Sequence, residues 1–91
     1  MRLDSRPKPR ERVIAQSAAD TIVVLAPDSG EYYALSEVGA RVWDLCDGTR
    51  TVAELVALLS EEYDAPRAAI ESDVLELLTE LAHEQLVCDA S

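Results

Sequence analysis

Tyr32-Tyr33-Ala34-Leu35-Ser36-Glu37-Val38-Gly39-Ala40-Arg41-Val42-Trp43 is the stretch in which the hydrophobic period changes, and that change decides the fold. From Glu31 to Leu35 the side chains alternate, with Glu31, Tyr33 and Leu35 on one face and Tyr32 and Ala34 on the other, the two-residue period of a strand. From Ser36, a favourable helix N-cap, Val38, Val42, Leu45 and Cys46 recur at helical spacing until Gly48 supplies a left-handed stop. This spacing predicts a strand that passes into a first helix over residues 37–47.

Upstream, Val13 to Gln16 and Thr21 to Ala26 are β-branched and apolar, with Ala18, Ala19 and Asp20 between them, which reads as a hairpin. Pro27-Asp28-Ser29-Gly30 is a turn signal leading into a third strand over 31–35. Residues 1–12 contain Pro7, Pro9, many charges and Leu3 as the bulky apolar side chain, so little there offsets the entropy of ordering. A flexible tail over 1–12 and one domain over 13–88 are expected.

Downstream, Thr51 and Glu54 form a Thr-x-x-Glu capping box, followed by Val52, Leu55, Val56, Leu59 and Tyr63 on one stripe ending before Pro66. After Pro66, a first-turn proline, Ile70, Val74, Leu77, Leu78 and Leu81 form a third helical stripe running to about Glu84. Leu86-Val87-Cys88 is too short for a helix and able to dock or pair as a strand. Three strands followed by three closely connected helices imply an α+β fold. The expected arrangement is a three-stranded antiparallel sheet packed against three helices, with a winged-helix-like helix pair.

The chain has 91 residues, 48% hydrophobic, with no Phe, so the core is aliphatic, with Trp43 and Tyr63 as larger fillers. Cys46 and Cys88 lie in apolar segments without a close partner, which suits buried thiols in a reducing, cytoplasmic compartment. No apolar run approaches the roughly 18 residues of a membrane span, and no secretory h-region is evident. The net charge of −10 is uneven. Residues 1–12 hold Arg2, Arg6, Lys8, Arg10 and Arg12 against Asp4 and Glu11, a net of +3, leaving −13 for the remainder. An acidic body repels phosphate backbones, so a peptide or protein is a better partner than nucleic acid.

Catalytic chemistry finds little material. The single histidine, His83, stands on a surface-leaning helix position, and its spacing from Glu84 and Cys88 matches no metal-ligand pattern. Glu71, Asp73, Glu76, Glu80 and Glu84 spread around the third helix without converging, the pattern of a solvated face. Asp28-Ser29-Gly30 forms no extended glycine-rich phosphate loop and is followed by no Walker-type lysine. The reading is of a binding protein without enzymatic activity, metal or cofactor.

The opening stretch, with Leu45-Cys46-Asp47-Gly48, Thr51-Val52-Ala53-Glu54-Leu55, Asp73-Val74-Leu75, Leu77-Leu78 and Leu86-Val87, resembles the PqqD family over about residues 13–87. The resemblance implies a recognition element for ribosomally synthesised and post-translationally modified peptides (RiPPs). In such proteins the precursor's leader adds as an antiparallel strand to the third strand, in the cleft between that strand and the third helix. Carried onto this chain, the template is Glu31, Tyr32, Tyr33, Ala34 and Leu35, with Ile70, Asp73, Val74 and Leu77 as cleft residues. The implied partners are the leader and a separate modifying enzyme or leader peptidase. Both stand-alone lasso-peptide B1 proteins and the coenzyme PQQ pathway's peptide chaperone fit, and in the PQQ case the iron–sulfur clusters belong to the partner enzyme.

The physics of such binding is β-augmentation: an exposed edge offers main-chain hydrogen bonds, and side-chain pockets select the peptide. A proline at Tyr33 is expected to weaken binding if that residue's amide serves the edge. Two other readings remain open. A winged-helix DNA-binding protein would use the third helix, but that helix carries five acids against Arg67. An edge-strand dimerisation module would satisfy the same backbone groups with a second copy.

Overall fold

The computed structural model describes residues 1–90. The elements are β1 (Pro7–Pro9), β2 (Ile14–Ala18), β3 (Thr21–Leu25), β4 (Tyr32–Ser36), α1 (Val38–Leu45), α2 (Val52–Glu62), α3 (Arg67–His83) and β5 (Val87–Asp89). The expected three-stranded sheet is β2-β3-β4, antiparallel throughout, and the three helices follow it in the expected order. A second, two-stranded sheet joins β1 to β5.

Alternation along β3 places Ile22 and Val24 inward, and Leu35 of β4 stands directly opposite Ile22. These side chains meet Val42 and Trp43 of α1, Val52, Leu55, Val56 and Leu59 of α2, and Ile70, Val74, Leu78 and Leu81 of α3 in one aliphatic core. Burying each of the larger side chains contributes on the order of 1.5–3 kcal/mol, and this burial is the main term holding sheet to helices. β2 lies at the far edge and is exposed along its length.

Capping follows the residues closely at α2. Glu54 N donates to Thr51 Oγ1 at 3.2 Å and Thr51 N donates to Glu54 Oε1 at 2.8 Å, a complete capping box. The Thr51 backbone amide, foremost, and the Thr51 side chain hold the Glu54 carboxyl below its ordinary range. α1 begins differently from expectation. Ser36 is the last residue of β4, the N-cap is Glu37 at φ 53°, and no side chain caps the helix. The extended backbone of β4 runs one residue further than the pattern suggested, so the chain reverses at Glu37. Gly48 adopts φ 84° and its amide donates to Pro7 O at 3.0 Å. Gly39 is not forced by sterics, because an added β-carbon would stand 3.7 Å from Leu35 Cβ and from Leu77 Cδ2, ordinary contact distances.

The expectation of a free tail over residues 1–12, with the domain starting at 13, is corrected. β1 pairs antiparallel with β5 in the register Pro7↔Asp89, Lys8↔Cys88, Pro9↔Val87. Val52 N donates to Ser5 O, Ala53 N to Leu3 O and Ala90 N to Arg6 O, all within 3.0 Å. Ser5 and Pro7 are buried. The prolines fit because of their register. Arg10 N donates to Leu86 O and Ala90 N to Arg6 O, so positions 6, 8 and 10 face β5 while Pro7 and Pro9 face away, where a missing N–H costs no ladder bond. Cys46 is buried as expected, but Cys88 is only half-buried, because the short β5 leaves one face of that position open.

Candidate functional site

Which backbone groups of β4 are free follows from register alone. Ala26 N donates to Glu31 O at 2.9 Å, and these residues stand opposite one another in the β3–β4 register. In an antiparallel ladder, bonded and non-bonded pairs alternate. Val24↔Tyr33 and Ile22↔Leu35 are therefore the bonded pairs, and the amides and carbonyls of Tyr32, Ala34 and Ser36 point to the other edge. The hairpin supplies an independent check. Its two-residue loop makes Ala18↔Thr21 a bonded pair, which assigns Thr21, Val23 and Leu25 to β2 and leaves Ile22 and Val24 for β4. The β4 edge facing away from β3 has no strand partner among the described residues.

This corrects the expectation about Tyr33. Its amide belongs to the β3 ladder, so a proline there breaks the sheet itself, whereas a proline at Ala34 removes an amide from the open edge.

Side chains divide between two faces of that edge. Tyr32 and Ala34 project to the outer face, and Tyr32 is 72% exposed. Tyr33 is half-buried and Leu35 buried on the inner face, towards the helices. α3 runs alongside: Leu77 lies beside the Leu35–Gly39 contact, and Glu84 at its end reaches the Tyr33 hydroxyl. The Tyr33 hydroxyl also donates to Glu31 Oε2 at 2.9 Å. Glu84, foremost, and Glu31 make loss of the phenolic proton unfavourable and raise the Tyr33 pKa far above that of free tyrosine. The two ends of β4 are therefore chemically unlike. Glu31, Tyr33 and Glu84 form an acidic, hydrogen-bonding end, while Leu35, Gly39 and Leu77 form an aliphatic one.

The nine residues singled out in the sequence do not all reach a surface. Glu31, Tyr32 and Ala34 are exposed, Tyr33 and Leu77 half-buried, and Asp73 exposed on α3. Ile70 and Val74 are 4% and 1% exposed and belong to the buried core. Gly39, Ser36 and Glu84 join the site from outside that set. Ser36 was hidden by its N-cap chemistry, and Glu84 by a helix whose acids are spread around it.

Nucleophile chemistry is unsupported at Cys46. Burial pushes the Cys46 thiol up to about 12, which keeps it protonated and unreactive at neutral pH. Among the described residues no group of three or more His, Cys, Asp and Glu side chains converges as a metal site. No helix among them is long and apolar enough to cross a membrane.

An open strand edge flanked by a helix, on a small α+β domain, defines a class of peptide-capturing recognition domains. The model of the coenzyme PQQ synthesis protein D (PqqD) family matches residues 21–87, and the chain belongs to that family. It is 38% identical over 86 residues to the PqqA binding protein of Xanthomonas axonopodis pv. citri, covering 92% of this chain and 91% of that one. Among solved structures it is similar to TbiB1 in complex with the TbiA(beta) leader peptide, with a TM-score of 0.81 and 30% identity over 88% of this chain and 93% of that one. The PqqD truncation of Methylobacterium extorquens PqqCD, a functional, stand-alone RiPP recognition element, superposes with a TM-score of 0.74 and 30% identity, covering 90% of this chain and 87% of that one.

Proposed function

We propose that this protein binds the leader of a ribosomally made precursor peptide as a strand antiparallel to β4 and presents it to a separate modifying enzyme or leader peptidase, without catalysis of its own. The observation that carries this reading is the open β4 edge, with the backbone groups of Tyr32, Ala34 and Ser36 facing out beside α3. Relatives that bind PqqA or are found with a leader peptide support it. Inward side chains of the leader would meet Tyr33, Leu35 and Leu77, with Ile70 and Val74 as the rigid backing and Asp73 at the rim. Outward ones would lie beside Tyr32 and Ala34.

Fluorescence-anisotropy titration of the labelled leader from a short precursor encoded beside the gene tests the reading, with the core segment alone as control. Saturable binding of the leader, and not of the core, is expected. Ala34→Pro should weaken it about tenfold or more while far-UV circular dichroism stays unchanged, because it deletes one edge hydrogen bond and its geometry but no β3–β4 bond. Unchanged affinity in the folded variant would overturn this register. A second reading uses the same edge: two copies pairing through β4. In that case leader and self-association compete, and size-exclusion chromatography without leader would show a dimer.

A further inference from the structure

Beside the Glu31 end of β4 lies an open cavity of ≈ 670 Å³ that shares only Glu84 with the strand-edge site. Its walls come from the segment after β1, the β3–β4 turn and the end of α3. Val13, Ala26 and Pro27 provide apolar surface, and Lys8, Arg10, Arg12 and His83 bring basic side chains to it.

The arginines of this cavity differ from most of those elsewhere. Arg41 is clamped by Glu62 at 2.8 Å, Arg50 and Arg2 stand 3.5 Å from Asp47 and Asp4, and Arg6 donates to Thr49 O at 2.6 Å. Arg10 and Arg12 have no such side-chain partner among the described residues. The formal charges of the lining balance, with Lys8, Arg10 and Arg12 against Glu11, Asp28 and Glu84, yet neither arginine forms an ion pair with any of those acids. On a chain of net charge −10, this is a local concentration of uncommitted guanidinium donors. Arg12 is moreover held at φ 74°, a conformation that costs a side-chain-bearing residue roughly 1 kcal/mol and that glycine would adopt freely.

We infer that this cavity binds a carboxylate-bearing peptide segment, with Arg10 and Arg12 as its forked donors. Guanidinium pairs carboxylate in a planar, two-bonded geometry, which suits Asp or Glu side chains. The position of the cavity identifies the source. Resting on the proposed antiparallel leader strand, the peptide would leave β4 at Glu31, the residue after the turn that forms one cavity wall. Residues just C-terminal to the leader strand would therefore arrive at the arginines, giving the precursor a second point of attachment.

Fluorescein-labelled hexaglutamate, titrated into the full chain at low salt with amide chemical shifts followed by NMR, tests the cavity separately from the leader. Saturable shifts at residues 10–13, 26–29 and 83–85, with residues 32–36 unmoved, are expected. Arg10→Gln and Arg12→Gly should each weaken binding about tenfold. The second relieves the left-handed strain and so keeps the fold. Absence of saturable binding, an affinity in both variants unchanged from the parent chain, or hexalysine shifting the same amides would overturn the inference. Failure of leader binding at β4 would show as unmoved amides at 32–36 in the leader titration, a result distinct from any of these.

Discussion

Ala19 sits at φ 59° in the two-residue loop between β2 and β3, a position where hairpins favour glycine or asparagine. The β-carbon clash in the left-handed region exceeds the entropy that glycine adds to the unfolded chain, so Ala19→Gly should stabilise the protein by about 0.5–1 kcal/mol. An upward shift of the urea midpoint at constant slope checks this. The hairpin itself was legible in the β-branched runs on either side of the loop. The sign of φ was not, because alanine at that position gives no hint of it. Glu37 at φ 53° is the same case, and it explains why the helix start moved from Ser36.

α3 shows how neighbouring positions on one element divide between stability and binding. Leu78 is fully buried, while Leu77 is half-buried where α3 flanks β4. Leu78→Ala should cost about 2–5 kcal/mol, the range for emptying a packed aliphatic site. Leu77→Ala should cost clearly less in stability but reduce leader affinity several-fold. Chemical denaturation and anisotropy on the two variants separate them. Equal effects on stability would remove Leu77 from the cleft. The stripe Ile70, Val74, Leu77, Leu78 and Leu81 was readable from period alone, but which member faces core and which faces cleft was not. A helical stripe is wider than one contact line, and its division depends on where β4 lies.

The whole molecule is tied together by its two ends. β1 pairs with β5, Val52 and Ala53 at the start of α2 donate to carbonyls of Ser5 and Leu3, and Gly48 donates to Pro7. Deleting residues 1–10 should therefore destabilise the domain by about 3 kcal/mol or more, a fall in Tm of roughly 15 °C by calorimetry. An unchanged Tm would mean that β1 adds nothing to the fold. The composition of this segment, proline and charge, resembles that of disordered chain, and pairing with a strand nearly the whole sequence away leaves no local mark.

Local sequence determined the element order, the α+β class, the aliphatic core and the capping box at Thr51, because each depends on spacing within a few residues. It also carried the family blocks that pointed to the third strand. Tertiary structure alone decided which amides of β4 are free, that Ile70 and Val74 lie in the buried core, that Glu84 comes near Tyr33, and that the first residues close the fold. Those features depend on strand register and on contacts between distant segments, and register is set by pairing partners that no single stretch of chain contains.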